Sequence, residues 1–436
     1  MSIDILARRE NDLPINGQEA DRESVFATRF SLSQLSDDGP ARHFKVNNTV
    51  SETWNIEKEG VPPYTLARAP FDPQVNGTLG LNGHTLFTNT FTSDAVRQMA
   101  RDTMATGTTR FCPTIITSDI SSIVEALNAV EDIPEVERKA LGIEGVHVEG
   151  RWIDMEKKGI HNPAHIVDEM TNQECGALCV YAKKGILKII TVSPTKVTPE
   201  QIRQLTAAGA LVSIGHSIAT TEQVTEAIHA GAKHITHLWN AMSGTTIKHR
   251  DAEPGVVTSA LNGHGRATGF PRVVAGMIGD EYHVDDSPAF VTSLTALGAF
   301  GDTLEGVRVD LTTDAATYPG NESFEFEFGP GGQKVWYDHT TGMCVDSATK
   351  KTLGGAATTM AQCIQRVHRL GVSPRMAIFM GSGVMDGLLK NTPRPNDHLA
   401  IYDSATLDIV GYIRDGVFTL LEEKELQEYK EKNSKK

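Results

Sequence analysis

Four short apolar runs of the chain end in residues that bind metal ions or move protons. One ends in His147-Val148-Glu149, a second in Gly215-His216-Ser217, a third in Thr236-His237-Leu238 and a fourth in Thr313-Asp314-Ala315. In an extended strand, alternation places His147 and Glu149 on the same face. A single histidine at the end of such a run is ordinarily structural. Two histidines and a glutamate at equivalent ends form a His₂-carboxylate set, suited to Zn²⁺ or another first-row divalent ion with positions left for water. An ion so held polarises a carbonyl and acidifies water. Hydrolysing an amide then needs a base for the water and an acid for the departing amine. Asp314 is a candidate for both roles in turn. His283, in Asp280-Glu281-Tyr282-His283, is a candidate donor to a developing oxyanion, its alternative being a surface-loop histidine.

Such residues must be positioned by a repeating scaffold, and the chain carries one. Apolar runs at 71–76, 109–114, 143–149, 186–192, 210–216, 233–238, 272–278 and 307–314 alternate with helical patterns at 94–105, 120–130, 164–183, 198–207, 220–230 and 287–297. Asp94, Thr198, Thr220 and Ser287 are candidate N-caps, and Gly209 and Gly231 candidate C-caps. Eight strands alternating with helices predict a (β/α)8 barrel of the TIM type, whose active site lies at the C-terminal ends of its strands. Residues 324–328 and 335–337 depart from the rhythm and flank Gly329-Pro330-Gly331-Gly332, which predicts a β-hairpin. A phosphate-cradling loop is the alternative there, but these glycines precede no helix. Further strand-like pieces lie at 24–30, 43–47, 399–403 and 409–413, and a charged tail follows Glu422.

Composition narrows the class. The 436 residues are 39% hydrophobic and 22% charged, ordinary for a globular protein, with a formal net charge of −14. That acidity argues against a nucleic-acid partner, and a phosphorylated ligand would need a local basic pocket. The five cysteines fit neither a zinc ribbon nor a secreted disulfide framework, and Cys175 and Cys179 are expected to be packing residues. No apolar leader or membrane-length run is present, so a cytoplasmic, reducing location is expected.

Several ordered motifs resemble the N-acetylglucosamine-6-phosphate deacetylase family of the amidohydrolase superfamily. GVHVEGRWIDMEKKGIHNP is similar to its metal-carboxylate segment, and SIGHSIATTEQVTEAIHAGAKHITHLWNAM to its double-histidine segment. LTTDAATYPG resembles its catalytic-aspartate motif and CVDSATKKTLGGAATTM its later substrate segment, so the likeness runs over roughly residues 71 to 360. It implies a deformed (β/α)8 barrel at 71–394 and a small β-sandwich assembled from residues 1–70 and 395–436.

By motif, the resemblance gives Glu149, His216 and His237 to one metal ion per subunit, expected to be Zn²⁺, and makes Asp314 the acid/base. His283 would polarise the acetyl carbonyl. Asn240, Ala241 and Arg250 would meet the sugar phosphate, and Leu353, Gly354 and Gly355 the substrate pocket. Where amidohydrolases often carry His-x-His, this chain has Gln74-Val75-Asn76, whose neutral amides are poor zinc ligands. Gln74 and Asn76 are therefore read with the substrate contacts, structural filler being the alternative, and a mononuclear site follows. The implied reaction converts N-acetylglucosamine 6-phosphate to glucosamine 6-phosphate and acetate, in a homodimer.

The chain also departs from the family. Arg151 stands where the family has proline, Glu281 where it has glycine, and two residues are inserted after Arg250. These differences keep open another N-acylated amino sugar as substrate. A sugar-phosphate-binding protein without catalysis is the alternative of a different class.

Overall fold

The structure is a computed structural model. It describes residues 2–9, 24–36, 41–55, 64–78, 92–248, 251–262, 272–285, 288–301, 303–329, 332–390, 399–414 and 417–421.

Eight parallel strands follow one another in chain order. They are β1 (Phe71–Val75), β2 (Arg110–Ile116), β3 (Val146–Glu149), β4 (Leu187–Val192), β5 (Leu211–Ile214), β6 (His234–Ile235), β7 (Val274–Ile278) and β8 (Val309–Thr312). Each is hydrogen-bonded to the next. Their residues are almost all buried, as expected of a parallel sheet covered on both faces.

The connecting helices keep their orientation through their ends. Thr171, Thr198 and Thr220 each form a capping box with the Glu174, Gln201 or Gln223 that follows, satisfying two otherwise orphaned backbone donors apiece. Gly209 (φ 109°) and Gly231 (φ 125°) terminate the helices Pro199–Ala208 and Thr221–Ala230 in conformations that a side chain would resist. Two expectations are corrected. The helix Ser93–Ala105 is capped by the hydroxyl of Thr92, with Asp94 in its first turn. The long helix expected at 164–183 is a 3₁₀ turn, Pro163–His165, and a separate helix, Asn172–Lys183, because the capping box at Thr171 starts a new helix there. Ser287 lies outside the described residues.

β8 does not run on into β1 as a continuous ladder. Thr313 and Asp314 interrupt it, and the chain resumes as Ala315–Thr317, which pairs with β1 at Val75 and with Leu353–Ala357. The seam is tied by a side chain. Asp72 of β1 accepts hydrogen bonds from the Thr312 hydroxyl and from both the amide and the hydroxyl of Thr313. Beyond the seam, Leu353–Ala357, Met343–Asp346, Gln333–Asp338 and Phe324–Phe328 extend the sheet to 13 strands, so the fold is α/β with a parallel-rich sheet. Phe324–Phe328 and Gln333–Asp338 form the antiparallel hairpin that the sequence predicts. Phe326, Phe328, Val335 and Tyr337 of that hairpin pack with Ile160 and Ile116 over the C-terminal ends of the parallel strands.

The two ends of the chain meet in a second sheet. Ser2–Arg9, Ser24–Ser36, Ala41–Asn55 and Tyr64–Arg68 close into a ring with Leu399–Asp403, Ile409–Arg414 and Val417–Leu421. Where it joins the larger sheet, Arg110 grips Asp386 with two hydrogen bonds of 2.5 and 2.9 Å, and Arg68 adds a third of 3.1 Å. The forked pair is buried and ties the larger sheet to the helix Gly383–Leu388, and Arg68 joins the second sheet to the same carboxylate. Cys175 is buried and Cys179 half-buried, and both are free thiols. Among the described residues no helix is long and apolar enough to cross a membrane. The charged tail after Glu422 lies outside them.

Candidate active site

The strands end where the chain turns into a backbone region that side chains disfavour. Glu149 is the last residue of β3, followed by Gly150 (φ 92°) and Arg151 (φ 54°). His216 (φ 47°) lies two residues beyond β5, His237 (φ 29°) two beyond β6 and Asp314 (φ 51°) two beyond β8. Left-handed conformations in residues other than glycine are uncommon and collect at functional sites. Gly150 is required as well, since a Cβ there would lie 2.4 Å from the Thr117 hydroxyl.

Glu149, His216 and His237 converge. Glu149 Oε1 is 2.9 Å from His237 Nε2 and 3.3 Å from His216 Nε2. The three residues are buried, and their ligand atoms all lie within 4.8 Å of one another. A cation fits this arrangement for a reason visible in the hydrogen bonds. His216 Nδ1 donates to the Lys157 carbonyl at 2.7 Å, so a neutral ring turns the lone pair of Nε2 toward a carboxylate oxygen. Two lone pairs facing each other in a buried site repel unless a positive charge lies between them. His237 Nδ1 is buried with no hydrogen-bond partner.

The loop that carries Lys157 is itself fixed. Asp154 donates its backbone amide to the His216 carbonyl, and its carboxylate accepts from Ser193, Thr195 and the amide of Ile218. Burial pushes the Glu149 carboxyl up, but the His216 and His237 rings beside it outweigh burial and hold the group well below its ordinary range. Burial lowers His237, and the neighbouring Glu149 and Asp314 reverse the sign, so its pKa is raised.

Asp314 occupies the other side of the cluster. Gln74 Nε2 donates to Asp314 Oδ1 at 2.7 Å and to Glu149 Oε2 at 2.9 Å, and Asn76 Nδ2 donates to Asp314 Oδ1 at 2.7 Å. Burial, then the charge of Glu149, raise Asp314 to about 6 against the pull of His237, His283 and Asn76. His283 Nδ1 donates to Asp280 Oδ2 at 2.8 Å. Burial lowers His283, yet Asp280 and Asp314 raise it overall, which favours the imidazolium. Asp280 is lowered: burial opposes its ionisation, but His283 more than compensates.

These groups line a cavity of about 320 Å³. Glu149, His216, His237, His283 and Asp314 border it, and Asn240, Ala241, Leu353 and Gly355 lie around it. Three expected substrate contacts do not. Gln74 and Asn76 are turned onto the carboxylates, and Gly354 packs where a Cβ would come 2.7 Å from Val335. Arg250 lies outside the described residues. Arg151 faces away from the cavity, its Nε 3.6 Å from Glu174, and Glu281 pairs with Arg369.

Two ionisable lining residues were not singled out from the sequence. His161 donates or accepts at Thr117 through Nδ1 (2.7 Å), stacks on His216 with ring centroids 4.4 Å apart, and is held neutral by burial, which lowers it to about 3. Its position twelve residues after Glu149, within the same quoted segment, was the available signal. Lys351 is the one Lys or Arg among the described lining residues. The signal for it was the doublet Lys350-Lys351, because Lys350 stacks on Trp336 and leaves its neighbour for the cavity.

No family model matches the chain. It is 35% identical over 292 residues to the N-acetylgalactosamine-6-phosphate deacetylase of Shewanella sp. (strain ANA-3), an alignment spanning 66% of each protein, just under two thirds. It is 31% identical over 324 residues to the N-acetylglucosamine-6-phosphate deacetylase of Bos taurus, covering 73% of this chain and 72% of that one. Its fold is similar to that of the Thermotoga maritima N-acetylglucosamine-6-phosphate deacetylase, with a TM-score of 0.71 at 21% identity over 95% of this chain and 98% of that chain.

Proposed function

Since the chain belongs to the N-acetylglucosamine-6-phosphate deacetylase family of amidohydrolases, we propose that it hydrolyses N-acetylglucosamine 6-phosphate to glucosamine 6-phosphate and acetate. The observation that carries this reading is the meeting of a His₂-carboxylate cluster, a carboxyl raised to about 6 and a buried histidine whose pKa Asp280 raises, all bordering one cavity.

Glu149, His216 and His237 would hold one divalent ion, and Zn²⁺ is the ion that such a donor set suits best. When bound, it would supply polarisation of the acetyl carbonyl and acidification of water. Asp314 takes a proton from the water that attacks the carbonyl carbon. It then delivers that proton to the amide nitrogen as the C–N bond breaks, releasing the amine and acetate. A carboxyl with a pKa of about 6 is populated in both forms near neutral pH, which suits a group that must be base and acid in turn. His283 has committed Nδ1 to Asp280, so its Nε2–H is the donor free for the developing oxyanion. Gln74 and Asn76 hold Asp314 by their amides. Neutral amide donors where a second ion would need imidazole or carboxylate support a mononuclear site.

Asn240, Ala241 and Lys351 are our candidates for the phosphate end, joined by Arg250, and Leu353 and Gly355 for the sugar. Gln74, Asn76 and Gly354 act from behind these surfaces. The same proposal reads the eight strands as a (β/α)8 barrel closed through the Asp72 seam. It divides the chain into residues 1–70 and 395–436 for the small β domain and 71–394 for the barrel. It also takes the enzyme to be a cytoplasmic homodimer.

A second reading has a specific observation in its favour. The Shewanella relative at 35% identity is an N-acetylgalactosamine-6-phosphate deacetylase, so the C4 epimer is the competing substrate. Acetate release with added Zn²⁺ separates the possibilities on N-acetylglucosamine 6-phosphate, its galactose epimer and both unphosphorylated sugars. The proposal expects the glucose 6-phosphate derivative to have the highest kcat/KM. A higher value for the epimer replaces the substrate, and no acetate from either phosphate rejects the function.

A further inference from the structure

Beneath the site, the interior of the parallel strands is polar where a packed apolar layer would be expected. His147 Nδ1 meets the Pro73 carbonyl at 3.1 Å, and its Nε2 meets the Thr191 hydroxyl at 2.8 Å. Thr191 meets Thr236 at 2.7 Å, Thr236 meets Ser213 at 2.5 Å, and Ser213 meets His234 Nδ1 at 2.8 Å. His234 Nε2 ends the series on Asp310 Oδ1 at 2.8 Å. Every member is buried. Two glycines keep the space for it. A Cβ on Gly215 would come 2.7 Å from Thr191 Cγ2 and 2.8 Å from Thr236 Cβ, and one on Gly276 3.2 Å from His234 Cε1.

The ends of the series are fixed. A carbonyl can only accept, so His147 donates from Nδ1 to Pro73, and His234 Nε2 meets Asp310 at the far end. Between them each of the three hydroxyls meets two partners: Thr191 meets His147 and Thr236, Thr236 meets Thr191 and Ser213, and Ser213 meets Thr236 and His234. None of the three can rotate away without giving up a hydrogen bond in a buried setting, where an unmet polar group is costly.

We infer that this hydrogen-bonded series is the positioning floor of the metal site, with Thr236 and Thr191 as its central positioning residues. Of the six strands that it ties, all but β4 continue into a residue of the site. Pro73 precedes Gln74, His147 lies one pleat below Glu149, Thr236 precedes His237, and Asp310 lies four residues before Asp314. Because each hydroxyl is held from both sides, a shift of Glu149 or His237 along its strand breaks a bond in the series. Outer groups of this kind set metal affinity through the ligands they orient.

The inference rests on the deacetylase reading, so wild-type acetate release is the control that tests that reading separately. Thr236→Val keeps the side-chain shape and removes the hydroxyl, while Thr236→Ser keeps the hydroxyl and removes the methyl group. The series predicts that Val lowers Zn²⁺ affinity of the metal-free protein about 10-fold or more, with a matching fall in kcat and KM within about twofold, and that Ser restores both. The absorption spectrum of the Co²⁺-loaded protein should change in the Val variant and return in the Ser variant. Should Thr236→Val not fold, Thr191→Val and Thr191→Ser interrupt and restore the series one step along. An active wild type whose Val variants match it in Zn²⁺ affinity and Co²⁺ spectrum overturns the inference. So does a Ser variant as impaired as Val.

Discussion

Gln74 reaches Asp314 across 2.7 Å with the same amide nitrogen that it gives to Glu149 at 2.9 Å. One donor therefore joins the proposed proton carrier to a proposed metal ligand, and each carboxylate raises the energy of ionising the other. Burial and then the charge of Glu149 leave Asp314 near 6, while the His216 and His237 rings hold Glu149 well below its ordinary range against its own burial.

Asp314→Asn should retain its metal and lose turnover. Removing a positioned acid–base group lowers kcat by about 10²–10⁴-fold. Metal analysis and acetate release from one preparation test this, and a variant within tenfold of wild type removes Asp314 from the mechanism.

Asp280→Asn leaves His283 in place but takes away the charge that keeps it protonated. A weakened oxyanion donor should reduce kcat by about 10²-fold with little change in KM. If the variant instead raises KM and spares kcat, His283 binds ground-state substrate and does not act on the oxyanion.

Lys351→Met tests the phosphate end of the cavity. Losing one ammonium contact of about 1.4 kcal/mol raises KM tenfold for a phosphorylated sugar. The unphosphorylated sugar should be indifferent to the change. An equal effect on both sugars would show that Lys351 serves the ring or the protein and not the phosphate.

Asp72 links the seam to pH. Burial pushes its carboxyl up to about 7, while Thr313, Gln74 and Thr312 act to lower it. Its folded pKa thus exceeds its unfolded value of 3.8, so the folded chain holds an extra proton between the two. The associated stability is complete below the unfolded value and is lost as pH rises through about 7. Denaturant midpoints from pH 4 to 8 should therefore fall more steeply for wild type than for Asp72→Asn, and parallel slopes would refute the assignment.

Local signals carried much of the architecture. The alternation of apolar runs and helical patterns marks all eight parallel strands, and Thr198, Thr220, Gly209 and Gly231 mark helix ends because caps are local chemistry. The predicted runs at 210–216 and 233–238 overshoot β5 and β6. The cause is the left-handed turn at His216 and His237, which alternation does not report. Contacts made across the fold were less legible. Asp72 bonds Thr313, and Gln74 bonds Asp314, over some 240 positions of chain. Nothing in the spacing of Gln74 and Asn76 distinguishes an amide that faces substrate from one that faces a carboxylate. Thr92 displaced Asp94 as a cap for a simpler reason, since both lie at the start of one helix and either type can cap.

The second sheet also sets an order on biosynthesis. Ala41–Asn55 is translated early, yet one of its partners is Val417–Leu421, with Ala41 opposite Leu421. That edge stays without this partner while the ribosome makes the entire catalytic sheet. Unpaired edges attract other chains, so a nascent enzyme is most exposed to self-association after its active site has been synthesised and before its ends have met. Chaperone demand should follow the time to complete Val417–Leu421, not the time to build the parallel strands.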